Sequence, residues 1–206
     1  MDKAVVQLLC DIKDGDCHIR FAAARTLGDV GCCDSIAQDA LLDALKDAIW
    51  FVRLAALQTL RDIKPDPAVV IDRITPMLKD DHEDVREYAA LTIGDLGHEA
   101  APVAIPLAEA LSDSVWYVRS TVAWVLGEIG PGAGDSCRCL VSCLNDDDSQ
   151  VRLNAVRSLG MITPIGDTDV LLALEEVTKD KNQVEEVIKK AHKAISRIMK
   201  SGDKNN

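Results

Sequence analysis

Aromatic side chains are nearly missing from this chain: two Phe, two Tyr and three Trp in 206 residues. So few rings cannot form a core, and the interior must be built from the Leu, Ile, Val and Ala that raise the hydrophobic share to 48 %. Positive charge is also short, since 23 Lys and Arg face 34 Asp and Glu and leave a net charge of −11. A field of that sign repels a phosphate backbone, so nucleic acid is not expected as a partner. No stretch reaches the roughly 18 apolar residues that a spanning helix needs, and no membrane partner is expected. Met1-Asp2-Lys3-Ala4 runs directly into a helical pattern, without the design of a secretory leader. The seven cysteines are odd in number, in a chain that needs no covalent staples. Together these point to free thiols and a cytoplasmic location.

What the chain does have is a period. Ile19-Arg20, Val52-Arg53, Val85-Arg86, Val118-Arg119 and Val151-Arg152 recur at a step of 33 residues. One supersecondary unit is therefore copied and stacked over nearly the whole length. Six residues before each arginine stands an aspartate: Asp14, Asp47, Asp80, Asp113 or Asp146. Seven after it comes Leu27, Leu60, Ile93, Leu126 or Leu159, and eight after it glycine in four of five repeats, Gly28, Gly94, Gly127 and Gly160. The preceding segments carry their own stripes, such as Ile71, Ile74, Leu78 and Ala104, Leu107, Leu111. Spacings of three and four are helical, so each repeat reads as helix A, an Asp-rich turn and helix B. Gly31, Gly97 and Gly130 suit left-handed ends for helix B, and Pro65, Pro131 and Pro164 then stop the helix. The expected organisation is one domain over 1–199, with repeats near 1–33, 34–66, 67–99, 100–132, 133–165 and 166–199, and a polar tail over 200–206.

Ankyrin and tetratricopeptide repeats have almost the same length, but their Thr-Pro-Leu-His and Trp-Leu-Gly-Tyr signatures are not found. Asp, then Val-Arg, then small residues, then Leu-Gly-x-Ile-Gly resembles the short HEAT-like repeat of the phycobilisome-lyase type. The resemblance implies an all-α, right-handed α-solenoid of six two-helix repeats, with helix B lining a concave surface. It also implies a structural ladder of ion pairs across the turns, made by Asp14, Arg20, Asp47, Arg53, Asp80, Arg86, Asp113, Arg119, Asp146 and Arg152. In the sixth repeat Lys179 and Glu185 stand where Asp and Arg would, as in a capping repeat.

On a helical wheel of about 100° per residue, positions −1, +3, +7 and +10 from the arginine form the core side of helix B. All seven aromatics lie off that side: Phe21 at +1, Trp50 and Trp116 at −3, Phe51 and Tyr117 at −2, Tyr88 at +2 and Trp124 at +5. Apolar clusters outside a core are interaction sites more often than not, and Trp and Tyr favour interfaces. Position +9 is acidic in four successive repeats, as Asp29, Asp62, Asp95 and Glu128. The expectation is a non-catalytic scaffold or adaptor with a groove formed by Trp50, Phe51, Tyr88, Trp116, Tyr117 and Trp124 and rimmed by Asp62, Asp95 and Glu128. It would grip a protein or peptide with apolar and basic anchors, or a second copy of itself.

No catalytic residue, metal site or cofactor is expected. The resembling superfamily includes a di-iron hydroxylase whose His-Glu pairs directly follow the Val-Arg of helix B. Here His82-Glu83 and His98-Glu99 fall in turns instead. Bilin lyases share the repeat and keep chromophore attachment as the alternative reading, though no residue specifies it. Cys10, Cys17, His18, Cys32 and Cys33 cluster in the first repeat, and Cys137, Cys139 and Cys143 in the fifth. Neither group has the paired turn spacing of a zinc site.

Overall fold

The computed structural model describes residues 3–29 and 35–200, and no strand occurs among them. Val30, Gly31, Cys32, Cys33 and the polar tail from Ser201 lie outside the described residues. The fold is an all-α solenoid of two-helix repeats, and its contacts divide into two compact units, Met1–Asp95 and Leu96–Asn206.

The first unit contains α1 (Lys3–Asp14), α2 (Cys17–Asp29), α3 (Ser35–Ala44), α4 (Trp50–Ile63), α5 (Pro67–Ile74) and α6 (Glu83–Gly94). The second contains α7 (Ala104–Glu109), α8 (Trp116–Ile129), α9 (Cys137–Ser142), α10 (Ser149–Ile162), α11 (Thr168–Lys179) and α12 (Glu185–Lys200). Even-numbered helices are the second helices of the repeats. The first helices of repeats three to five are broken into α and 3-10 pieces. Thr75–Lys79 extends α5, Gly97–Val103 and Ala110–Ser112 flank α7, and Gly130–Ser136 and Cys143–Asn145 flank α9. Proline accounts for much of this, because Pro76, Pro102 and Pro131 sit in 3-10 segments, where the missing N–H is more easily tolerated.

The periodic positions form the core. At +7, Leu27, Leu60, Ile93, Leu126 and Leu159 are fully buried, as are Val52, Val85, Val118 and Val151 at −1. Ile19 differs: it is 44 % exposed. At +10, Ile129 and Ile162 are buried, whereas Ile63 and Leu96 are half-buried.

The glycine at +8 has a local cause. A Cβ on Gly28 would lie 2.9 Å from Thr59 Cγ2, one on Gly127 would lie 2.4 Å from Ser158 Oγ, and one on Gly160 would lie 2.8 Å from Ala194 Cβ. This close approach lets the hydroxyl of the following repeat cross over. Thr59 donates to the Ala24 carbonyl at 2.9 Å, and Ser158 to the Ala123 carbonyl at 2.6 Å. In repeat two Arg61 replaces the glycine, and Thr92 of the next repeat turns back to the Tyr88 carbonyl of its own helix at 2.6 Å. Thirty-three residues apart, Lys64, Gly97 and Gly130 all have positive φ (48°, 57° and 77°); Lys64 at ψ 63° is left-handed helical, whereas Gly130 at ψ −151° is not the expected left-handed end but a conformation open to glycine alone.

Candidate functional site

The turns are tied by arginines that face both ways. Arg53 donates through Nε and Nη2 to the two carboxylate oxygens of Asp80 at 2.7 and 2.6 Å, and through Nη1 to the carbonyl of Asp47 at 2.8 Å. Arg20 grips Asp47 in the same bidentate way, and Arg119 grips Asp146 at 2.7 and 2.8 Å. The carboxylate partner is thus 27 residues ahead, and the aspartate six residues behind offers its main-chain carbonyl. Arg86 Nη1 binds the Asp80 carbonyl at 2.9 Å, and Arg119 Nη1 the Asp113 carbonyl at 2.8 Å. Each aspartate also accepts the N–H two residues on: Ile49 for Asp47, His82 for Asp80, Val115 for Asp113 and Asp148 for Asp146. The Arg20 and Arg119 guanidiniums hold the carboxyls of Asp47 and Asp146 below the usual carboxylate range. Asp14 is exposed at the end of α1, and Arg20 Nη1 binds the Gly15 carbonyl instead of its own.

The ladder ends differently in the sixth repeat. Asp180, one residue later than the period places it, accepts the N–H of Asn182 at 2.9 Å. Arg152 therefore takes a neutral partner, donating through Nε to Gln183 Oε1 at 2.9 Å. The expected reversal of charge across Lys179 and Glu185 is corrected by this shift. Those two side chains pair within their own helices, with Glu175 and Lys189.

None of the seven aromatics is buried. In the first unit they form a run of rings in contact. Phe21 meets Phe51 edge-on at 5.9 Å, Phe51 meets Trp50 edge-on at 5.8 Å, and Trp50 stacks on His82 at 3.7 Å and 5°. His18 stacks on Phe51 at 5.9 Å and 16°. Trp50 and Phe21 remain 38 % and 39 % exposed. In the second unit Trp116, 49 % exposed, meets Tyr117 edge-on at 5.8 Å. Tyr88 and Trp124 are half-buried and join no ring pair among the described residues. The two histidines were not among the expected site residues. His18 shares the −2 position of Phe51 and Tyr117, which is the signal that could have found it. His82 Nδ1 accepts the N–H of Asp84 at 3.3 Å as the cap of α6.

The helices that begin with tryptophan also lack side-chain caps. Asp16 and Asp148 accept N–H groups at the starts of α2 and α10, as His82 does for α6. At α4 and α8 the cap residues are Ile49 and Val115, which offer no acceptor. That choice forgoes about 1 kcal/mol at each helix.

The acidic row is exposed but partly neutralised. Arg61 pairs with Asp95 through Nε and Nη2 at 2.5 and 3.4 Å, and Arg157 pairs with Glu128 at 3.1 Å. Asp29 and Asp62 are exposed without an ion pair among the described residues. Among those residues, no group of three or more His, Cys, Asp or Glu could hold a metal ion. Cys10 and Cys139 are exposed free thiols, and burial pushes the Cys143 thiol up to about 11. His98 is exposed in a 3-10 turn.

A family model described as HEAT repeats matches residues 3–90, 39–115, 71–149 and 104–196. An engineered protein is similar in structure, with a TM-score of 0.74, 20 % identity, and 98 % of each chain covered. A designed armadillo repeat protein in complex with the peptide (KR)4 has a TM-score of 0.72 and 18 % identity, covering 94 % of this chain and 99 % of its own. An archaeal HEAT-like repeats protein from Thermococcus onnurineus NA1 has a TM-score of 0.62 and 15 % identity, covering 96 % of this chain and 81 % of its own. No curated protein matches the chain.

Proposed function

The chain belongs to the HEAT repeat family, and on that premise we propose that it is a non-catalytic, cytoplasmic scaffold that binds a protein or peptide through its second helices. The partner carries apolar anchors flanked by Lys or Arg. The observation that carries this reading is the run of surface rings from Phe21 through Phe51 and Trp50 to His82 in the first unit. Rings so exposed lose hydrophobic stabilisation in water, and the exposed surface of Trp50 and Phe21 suits contact with an aliphatic or guanidinium group of a partner. Trp116 and Tyr117 repeat the motif in the second unit, with Tyr88 and Trp124 as lesser contacts. Both tryptophan-led helices give up a side-chain cap that α2, α6 and α10 keep, which is consistent with a functional demand at their starts.

Charge favours the same partner class. Asp62 has no ion pair among the described residues, Asp95 and Glu128 are held by partly exposed arginines, and the net charge is −11. The similar designed armadillo repeat protein is described in complex with (KR)4, a peptide of the kind an acidic surface attracts.

A peptide array that varies apolar residues between lysines and arginines tests the reading. Selected peptides should bind the full chain and bind a Trp50→Ala, Phe51→Ala variant about thirtyfold more weakly, the loss that a central aromatic anchor of about 2 kcal/mol implies. No selected class, or equal binding by the variant, would overturn it. Dimerisation abolished by the same substitutions would make a second copy the partner.

A further inference from the structure

The region least like the rest of this acidic chain lies between α10 and α12. Here Arg157, Lys190, Lys193 and Arg197 line a cleft of about 170 Å³. Lys190, Lys193 and Arg197 follow at i, i+3 and i+7, which places them on one face of α12. Arg157 reaches over from α10, and the floor is Gly160, Met161 and Ala194. Gly160 creates the cleft. A Cβ there would meet Ala194 at 2.8 Å, so the helices close tightly at the floor and the long cationic side chains can only stand around it. Lys193 itself occupies the +8 position that is glycine in four earlier repeats.

Among the described residues no carboxylate lines the cleft. Lys190, Lys193 and Arg197 are exposed and make no ion pair among the described residues, whereas neighbouring Lys189 is paired with Glu185 at 2.7 Å. Arg157 is held by Glu128, but its side chain is 47 % exposed, and an exposed pair of this kind is weak and easily exchanged. Four cations around one small concavity repel one another, and among the described residues only Glu128, on Arg157, offsets any of that charge. A bound anion removes that repulsion.

We propose that this cleft binds a phosphate monoester. A phosphate dianion offers three acceptor oxygens and about two charges. Two guanidinium forks can bind it bidentately while two ammonium groups supply point charge. A carboxylate would satisfy only part of this donor set. A long polyanion is disfavoured because the acidic surface beyond the cleft repels it, whereas a single group lies within the roughly 10 Å over which the local cations act at 0.1 M salt. The site shares no residue with the aromatic surfaces and stands or falls apart from them.

Calorimetry on the full chain in low salt provides the test, with three ligands: O-phosphoserine, an otherwise uncharged phosphoserine peptide, and the same peptide with Glu at that position. The test variant is Lys193→Gln, Arg197→Gln, and the charge-matched control is Lys13→Gln, Lys181→Gln, which lies outside the cleft. All four side chains are exposed, so the fold should survive, as helical circular dichroism will verify. A phosphate ligand should bind the wild type and the control alike, bind the test variant at least tenfold more weakly, and weaken as salt rises. Binding of both phosphate ligands identifies a small ester as sufficient, and binding of the peptide alone identifies a phosphorylated protein as the source. Absence of binding by both, equal binding by the test variant, or an equally tight Glu peptide would each overturn the proposal.

Discussion

Replacing Asp146 with Asn perturbs one rung of the ladder and little else. Oδ1 of Asp146 accepts both Arg119 Nη2 at 2.8 Å and the N–H of Asp148 at 2.9 Å, and Oδ2 accepts Arg119 Nε at 2.7 Å. The amide keeps one oxygen for the turn, but its NH2 group then faces the Nε–H. One charge-assisted bond is lost, and a guanidinium only 17 % exposed keeps less compensation. The expected cost is about 2–3 kcal/mol, below the full loss of a buried pair because the rung is only partly buried. For a chain of this size that lowers Tm by about 4–12 °C. Thermal and urea unfolding followed by circular dichroism measure it, and Trp116 and Trp124 fluorescence reports the same unit. Gln183→Ala, which removes a neutral acceptor from Arg152 and from the exposed N–H of Val184, should cost about 1 kcal/mol. The Asp146 carboxyl sits below the usual range in the folded chain. Its contribution is therefore present above the unfolded carboxylate pKa and is lost as pH falls through the folded one. The gap between wild type and variant should be constant near neutrality and close in acid. A change in Tm under 2 °C at pH 7, or a gap that widens in acid, would refute the rung as a source of stability.

Lys64→Gly should stabilise the first unit by about 0.5–1 kcal/mol, seen as a raised Tm, because a side chain at φ 48° is strained and glycine is not. Gly127→Ala should lower Tm despite the better helix propensity of alanine. The new methyl would meet Ser158 Oγ at 2.4 Å, and overpacking of about 1–3 kcal/mol outweighs roughly 1 kcal/mol of propensity. In timed maleimide labelling read by mass spectrometry, exposed Cys10 and Cys139 should react before Cys137 and Cys143 in the folded chain. Cys143, buried and with its thiol pushed up to about 11, should react only on unfolding.

The core was legible because one stacked unit imposes the same burial on the same position every 33 residues. Leu27, Leu60, Ile93, Leu126 and Leu159 repeat one environment. Ile19 stands at the same −1 position and is exposed, so the period alone does not fix burial. The pairing of the ladder was not legible either. Both the aspartate six residues behind and the one 27 ahead fit the period, and the structure assigns the first a main-chain carbonyl and the second a carboxylate bite. The breaks in the first helices were not legible, because proline reads only as a stop after helix B and a stripe of Leu at helical spacing tolerates both α and 3-10 turns. The histidines of the ring run were hidden because each also fits a local role, as His82 does in capping α6. Trp50 and Phe51 share a helix start and meet, whereas Tyr88 and Trp124, on the same wheel face, join no ring pair. A wheel gives direction around one helix and says nothing of which neighbour lies within reach.

Arg61 shows how a single departure from the repeat can set the charge that a partner meets. It occupies the glycine position of its repeat and takes up Asp95, so one acid of the row is held by an arginine. The pair's side chains are 32 % and 36 % exposed, so its direct contribution to stability is under about 1 kcal/mol. Arg61→Gly should therefore fold. It should also let Thr92 turn from the Tyr88 carbonyl toward the Leu57 carbonyl, as Thr59 reaches Ala24 across Gly28. Arg61→Gln removes the charge but keeps the bulk, so the two variants separate electrostatics from packing. If Asp95 belongs to the binding surface, both variants should bind a Lys- or Arg-bearing peptide more tightly than the wild type, with a steeper loss on adding salt. Tighter binding by Arg61→Gly alone would assign the effect to the repacked Thr92. Unchanged affinity in both would remove Asp95 from the surface and leave the aromatic rings to act without it.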